Sequence, residues 1–117
     1  MIWLLLEYEL VLTDFLKRHG NEALEFRLDR LARMGNACRE PVSRHVGDGI
    51  WELRANSQQG QLRVFYFFGP DVRQITALHC VVKKRRKTDP SDIALAKKRR
   101  SRVLEREVRI NVHALSN

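Results

Sequence analysis

The chain has 117 residues, of which 44% are hydrophobic and 31% charged, a balance that argues against a disordered or membrane-embedded protein. We expect a single domain, residues 1–117, with one modest core. All of the net charge of +8 lies in residues 83–117, which hold 12 basic and 4 acidic side chains, while residues 1–82 hold ten of each. This segregation favours a polyanionic partner over a basic helix that is merely solvated.

The N-terminal part predicts one strand and two helices. The apolar run in residues 2–9 is too short to span a membrane and lacks signal-peptide features, so we expect a strand in a cytoplasmic protein. Thr13 or Asp14 is the expected cap of a first helix that ends at Gly20. Leucines recur at i, i+4 and i+7 within 21–35, which predicts an amphipathic helix with its leucine stripe in the core.

The middle of the chain predicts an antiparallel meander. Residues 36–49 contain proline and two glycines without periodicity, so they read as a connector. Strand-like segments follow at 50–55, 61–68 and 73–82, separated by tight turns. Helices grouped before such a meander predict an α+β fold, in which two helices cover one face of a small antiparallel sheet and the other face is left for function.

A basic helix is predicted after the meander. Five consecutive cations occupy 83–87, and the segment TDPSD that follows supplies an Asp or Ser cap and a proline for the first turn. The helix should continue to residue 107. Residues 109–117 are predicted to form either a fourth short strand or a loose tail.

No sequence pattern indicates a metal or cofactor. The two cysteines, Cys38 and Cys80, are far apart, and the four histidines occur singly. The glycines fall at turn-like places and do not form a phosphate-binding loop. We therefore expect neither a metal site nor a cofactor.

Four segments in register resemble the RelE superfamily of type II toxins, and more narrowly its HigB-like, phage-derived branch. They are GDGIWELR, LRVFYFF, LHCVVKKRRKTDP and SDIALAKKRR, and the resemblance covers roughly residues 13–106. The sequence departs from the family at Asp89, an extra residue before the proline, and at the arginine pair 85–86. These departures change the helix cap and the local charge but keep the basic cluster.

The resemblance implies a RelE-like fold and a metal-independent endoribonuclease that cuts mRNA, usually on the ribosome. It also implies a helix-turn-helix antitoxin as partner in a hetero-oligomer. Two alternatives keep the same fold and charge: a non-catalytic nucleic-acid-binding protein, and a degenerate toxin that only binds its antitoxin. Attack by the 2′-hydroxyl of RNA needs a base, cations at the phosphate and an acid, without a covalent enzyme residue.

Arg63 is the first catalytic candidate because it interrupts an apolar strand. We expect its guanidinium to face an open polar surface and bind phosphate, or alternatively to form a structural ion pair with Glu52. Arg54 is expected either beside Arg63 in the site or as a solvated edge charge. Lys83 and Lys84 are candidate catalytic lysines, and at most one of them shares the face of Arg63.

His79, predicted on the face of Lys83, is either a proton shuttle or a satisfied structural residue, and it ranks below Lys84. The resemblance suggests that Tyr66 acts as an acid or a base. Strand alternation instead predicts a core position in which its hydroxyl is hydrogen-bonded. Further cations are expected to bind RNA: Arg86, Lys87, Lys97 and Lys98, with Arg99, Arg100 and Arg102 extending this basic wall.

Overall fold

The computed structural model describes residues 2–38 and 43–113, which form an α+β fold of three α-helices and a six-stranded, mostly antiparallel sheet. The predicted fold class is therefore confirmed. In chain order the elements are β1 (Leu4–Tyr8), α1 (Val11–His19), α2 (Glu22–Met34), β2 (Ser43–Gly47), β3 (Ile50–Ser57), β4 (Gly60–Phe68), β5 (Gln74–Lys83), α3 (Pro90–Leu104) and β6 (Ile110–Val112).

The strands follow the order β2-β3-β4-β5-β1-β6. Strands β3 to β5 form the predicted antiparallel meander, and β2 pairs antiparallel with β3. Strand β1 lies parallel to β5, with Leu4 opposite Gln74 and Glu7 opposite Ala77. Strand β6 pairs antiparallel with β1. Because the pairing with β1 ends at Ala77, the second half of β5 has no neighbouring strand on that side among the described residues.

The connector predicted for residues 36–49 is wrong in its second half, where β2 forms and pairs with β3. Residues 39–42 of that prediction lie outside the described residues. A two-residue turn joins the strands, with positive φ at Asp48 (49°) and Gly49 (77°). An Asp-Gly pair in this conformation matches the twist of a hairpin, so the glycines that suggested a loop belong to its turn.

Helices α1 and α2 cover one face of the sheet, as predicted. The leucine stripe of α2 packs into a core with alternate residues of β3 and β4: Leu24, Leu28, Leu31, Leu53, Leu62, Val64 and Tyr66. Asn21 caps α2 by accepting a hydrogen bond from the Leu24 amide at 2.8 Å. The cap predicted for α1 is wrong, because buried Glu7 of β1 accepts the first amides of that helix from Leu12 and Thr13.

Helix α3 covers the other face, so the prediction of an open sheet face is wrong. Its Ala96 and Val103 pack with Phe65, Phe67 and Leu78 in a second core. The sequence of α3 does not clearly predict that this helix packs on the sheet, because many cations lie between its apolar residues. The strand face expected to be open is therefore mostly filled with protein.

The ends of α3 agree with the sequence in part. Asp89 is the cap, accepting the Ser91 amide at 2.9 Å, and Pro90 begins the helix. The helix ends at Leu104, three residues before the predicted end. A short strand, β6, occurs in the predicted tail, and residues 114–117 lie outside the described residues. None of the helices in the described part of the chain is long and apolar enough to cross a membrane.

Candidate functional site

Arg63 of β4 is fully buried, with 0% of its surface exposed. The open, phosphate-facing environment predicted for it is wrong, because the chain that follows β5 folds over its guanidinium. Its Nη1 lies 3.4 Å from Glu52 Oε2, which confirms the alternative prediction of an ion pair across the β3–β4 hairpin. Burial lowers the pKa of Arg63, and the charge of Glu52 opposes this shift.

Arg63 holds the main chain of the basic loop, which we define as residues 84–88. Its Nη2 donates to the carbonyl oxygens of Arg86, at 2.9 Å, and of Arg85, and its Nη1 donates to that of Lys87 at 3.3 Å. While these carbonyls face the buried guanidinium, all four basic side chains of the loop, including Lys84, are exposed. One buried cation thus fixes the backbone of a loop whose own cations face solvent.

Glu52 joins this arrangement to the neighbouring strand. It is fully buried and accepts hydrogen bonds from Arg54 Nε and, at 3.1 Å, from the Thr88 hydroxyl. Arg54 lies opposite Arg63 in the hairpin, as predicted, and its Nη2 donates to Thr88 Oγ1 at 3.2 Å. Like charges on opposite strand positions repel, and Glu52 between them offsets this repulsion. Arg54 is therefore not the solvated edge charge of the alternative prediction.

Two open clefts flank the basic loop. One, of about 410 Å³, separates residues 83–86 from the β3–β4 turn, residues 57–61, which contributes three glutamine side chains. The other, of about 600 Å³, lies between the loop and the start of α3. Lys83 and Lys84 line both clefts, so a ligand bound on either side of the loop would meet these two lysines.

Lys83 and His79 lie on one face of β5, as predicted, and both contact Asp92 of α3. The distance from Lys83 Nζ to Asp92 Oδ2 is 3.0 Å, and that from His79 Nε2 to Asp92 Oδ1 is 2.8 Å. The hydrogen bond to Asp92 raises the pKa of Lys83. Because a general base must lose its proton near neutral pH, this shift disfavours Lys83 as the base and favours it as a fixed cation.

Tyr66 lies in the core beneath α1 and α2, as strand alternation predicts, and it is 0% exposed. Its hydroxyl forms a hydrogen bond with the Ser43 hydroxyl of β2. Burial raises the pKa of Tyr66 above its usual value. These properties disfavour the acid or base role that the resemblance suggested for it.

Four of the five cations predicted to form a basic wall on α3 also contact other parts of the protein. Lys97 Nζ pairs with Asp48 Oδ2 at 2.7 Å, although it was predicted to bind RNA. Three arginines contact the protein as well: Arg99 donates to the Leu78 carbonyl at 2.8 Å, Arg100 to the Asp48 carbonyl, and Arg102 to the Tyr8 hydroxyl at 2.5 Å. Lys98 is exposed, in keeping with its predicted role in RNA binding.

Sequence reasoning missed the partners that organise this site. In the sequence, Asp92 stood out only as part of the helix-start segment TDPSD, and Thr88 was not singled out. The sequence contained one signal for Asp92, namely that His79 and Lys83 lie on the same face of a strand. If that face is covered by protein, these two basic side chains need an acidic partner nearby. Tertiary contact between β5 and α3 supplies that acid.

A model of the family described as phage derived protein Gp49-like (DUF891) matches residues 14–101 of the chain. The matched range runs from α1 to the last part of α3 and includes the basic loop, Arg63, His79 and Asp92. Among curated proteins, none matches the chain significantly.

Proposed function

We propose that this chain, which belongs to the Gp49-like family of phage-derived proteins, is a toxin that cleaves mRNA. The family is toxin-like and of the RelE/HigB type. The reaction that we propose follows from the resemblance to that type: the 2′-hydroxyl of the RNA attacks the adjacent phosphate, without a metal ion. The proposal includes the cytoplasm as its place of action, the ribosome as the usual site of cleavage and a helix-turn-helix antitoxin as the partner protein.

The observation that carries this proposal is the basic loop held in place by Arg63. Four consecutive exposed cations lie on a main chain that three hydrogen bonds fix from inside. A polyanion binds more tightly to cations whose backbone is already ordered, because less conformational entropy is lost on binding. Among the described residues, neither hydrophobic core includes any of these four side chains.

The flanking turn suggests RNA more specifically than a generic polyanion. Gln58, Gln59 and Gln61 line the cleft beside Lys84 and Arg85, so amide groups and cations face the same space. Cations contact phosphates, while amides offer both a donor and an acceptor to the exposed edges of unpaired bases. The combination suits a single-stranded segment of RNA.

The proposal assigns different roles to the predicted site residues. Lys84, Arg86 and Lys87 contact the RNA backbone, and Lys98 extends this contact onto α3. Arg63 and Arg54 become positioning residues, since they hold the loop through its carbonyls and through Thr88. The general base is a separate group outside the basic loop.

Primer extension on an mRNA in bacterial cell-free translation tests the proposal. We compare the wild-type protein with Lys84→Gln/Arg86→Gln and with a control, Lys17→Gln/Arg30→Gln, which removes two exposed cations from α1 and α2. We expect ribosome-dependent cuts with wild type and control, and cleavage reduced by about 10²-fold or more in the loop variant, since it loses two charged contacts that contribute about 1.5–3 kcal/mol each.

Absence of cuts with the folded wild-type protein, with and without ribosomes, would contradict the proposal. Equal cleavage by the loop variant and the control would keep the nuclease but reject the loop as its RNA-binding element. Cuts that need no ribosome would keep the reaction and reject only its proposed location.

A second candidate is a non-catalytic RNA-binding protein, or a degenerate toxin that retains only its antitoxin contact. The burial of Arg63 favours this candidate, since a cation with no exposed surface cannot contact a scissile phosphate. Binding of RNA by the basic loop without any cleavage would support it. The ribonuclease and the non-catalytic RNA-binding protein therefore differ in one respect. The ribonuclease needs catalytic groups other than Arg63, including a general base.

A further inference from the structure

A cleft outside the basic loop lies along the edge of β5 that β1 leaves unpaired. Its volume is about 450 Å³, and its walls come from α1, from the chain just after β1, and from α3. His79 and Cys80 of β5 line it, together with Arg99 of α3. Burial raises the pKa of the Cys80 thiol, so this sulfur is not a ready nucleophile.

His79 is held at this cleft by contacts on two sides. Its Nε2 lies 2.8 Å from Asp92 Oδ1, and its ring stacks on Phe65 with the ring centres 5.7 Å apart. Asp92 is itself paired with Lys83. A hydrogen bond from Nε2–H to a carboxylate leaves the lone pair on Nδ1, and Nδ1 has no hydrogen-bond partner among the described residues. The side chain is 16% exposed, so the ring is fixed without being sealed from solvent.

Cations occur beside this ring. The Arg99 guanidinium lies over the Tyr8 ring, 4.9 Å from its centre, and donates to a main-chain carbonyl, so its position is fixed. Arg18 of α1 lines the opposite wall. Two acids, Glu9 and Asp14, also line the cleft, so it suits a single phosphate beside the arginines and not a run of phosphates. A longer RNA would need further cations elsewhere.

The basic loop supplies those cations from the same strand. His79 and Lys83 are four residues apart on β5, which corresponds to about 13 Å at the usual rise of a strand. That span covers a few nucleotides of an extended chain. An RNA strand bound by the basic loop can therefore follow the open edge of β5 to His79.

We propose that His79 is the general base of the ribonuclease and that this cleft is its catalytic centre, an inference that rests on the proposed function. His79 Nδ1 removes the proton of a 2′-hydroxyl, and the 2′-oxygen forms a bond to the adjacent phosphorus. The bond from phosphorus to the 5′-oxygen breaks, and that oxygen takes a proton from water. The imidazolium returns its proton to the hydroxide, so the products are a 2′,3′-cyclic phosphate and a 5′-hydroxyl. Arg99 stabilises the charge on the phosphate, and Asp92 is a positioning residue.

The test compares His79→Gln with wild type and with a matched control, His45→Gln, on mRNA in bacterial cell-free translation. His45 is exposed and lies on β2, outside both the loop and the cleft. We expect His79→Gln to lower the single-turnover rate by about 10²–10⁴-fold, the usual contribution of a general base, while RNA affinity and the control are unchanged. Mass spectrometry of the fragments should find 2′,3′-cyclic phosphate ends.

Cleavage by His79→Gln at the wild-type rate would overturn the inference and leave the ribonuclease intact. Products with 3′-hydroxyl and 5′-phosphate ends would also overturn it, since they exclude attack by the 2′-hydroxyl. A wild-type protein that cleaves nothing would overturn both the inference and the proposed function. If His79→Gln fails to fold, an NMR titration of the wild-type protein with a 2′-O-methyl RNA tests the site instead. The RNA should shift the signals of the His79 ring and not those of the His45 ring. Unchanged His79 signals would reject the site.

Discussion

Arg63 illustrates what a strand pattern can and cannot predict. Alternation along β4 correctly separates Arg63 from Tyr66, which lie on opposite faces. It does not predict what covers each face, because the carbonyls that bind Arg63 come from a loop more than 20 positions later. The identity of the side chain was informative, but its role depends on contacts between distant parts of the chain.

Replacing Arg63 by Met should destabilise the fold, since it removes one of the two cations that pair with buried Glu52 and also the donor of the hydrogen bonds to three loop carbonyls. We expect the free energy of unfolding to fall by about 3–5 kcal/mol, measured by urea denaturation. The double variant Arg63→Met/Glu52→Leu should recover part of this loss because both charges are gone. A stable Arg63→Met protein that binds RNA normally but cannot cleave it would contradict the positioning role and favour direct contact with substrate.

Tyr66→Phe tests the core assignment of this side chain. Removal of its hydroxyl leaves the buried Ser43 hydroxyl without this partner, so we expect a loss of about 1–3 kcal/mol in the free energy of unfolding. Thermal and urea denaturation measure the loss, and Tyr66→Phe/Ser43→Ala should restore much of it. RNA cleavage at a temperature where the variant is folded should be unchanged, and a large loss of rate there would reinstate Tyr66 as an acid or base.

Secondary structure elements were predicted best where one segment carries its own signal. The cap Asn21, the leucines of α2 and the meander strands are such cases. The cap of α1 was missed because its acceptor, Glu7, comes from a neighbouring strand and not from the helix start. Strand β2 was missed because its turn residues dominate the local composition. In both cases a contact with a distant part of the chain determines a feature that local sequence was expected to determine.

Helix α3 should show a pH-dependent start. Hydrogen bonds from the amide and hydroxyl of Ser91 lower the pKa of Asp89 below 3.8. Since the folded pKa is below the unfolded one, the stabilisation is present above about pH 3.8 and is lost as the pH falls through the folded pKa. We expect the NMR signal of the Ser91 amide to shift in that acidic range. The Leu24 amide serves as control, because its cap, Asn21, is neutral and its signal should not shift.

The variant Asp89→Asn provides the check on this expectation. It retains an acceptor oxygen for the cap but cannot titrate. The acid step at the Ser91 amide should therefore disappear. A step of unchanged size in Asp89→Asn would mean that another group, such as Asp92, controls the start of α3.

Charge is distributed unevenly over the protein as well as along its sequence. The neutral first part, residues 1–82, supplies most of the sheet and two helices, while the cationic remainder forms the basic loop and α3. The sequence alone predicted which part of the chain carries the positive charge. It did not predict which cations contact the protein itself and which remain available to a ligand. Most α3 cations bind the protein itself, and the loop cations remain available to a ligand.

The salt dependence of binding to a short single-stranded RNA tests most directly whether the basic loop is the RNA-binding element. We would compare wild type with Lys84→Gln/Arg86→Gln and with the control Lys17→Gln/Arg30→Gln. For two lost phosphate contacts the slope of log affinity against log salt should decrease in magnitude by about 1.4 in the loop variant and stay unchanged in the control. An equal slope in wild type and loop variant would contradict the account, because the loop cations would then make no contact with RNA phosphates.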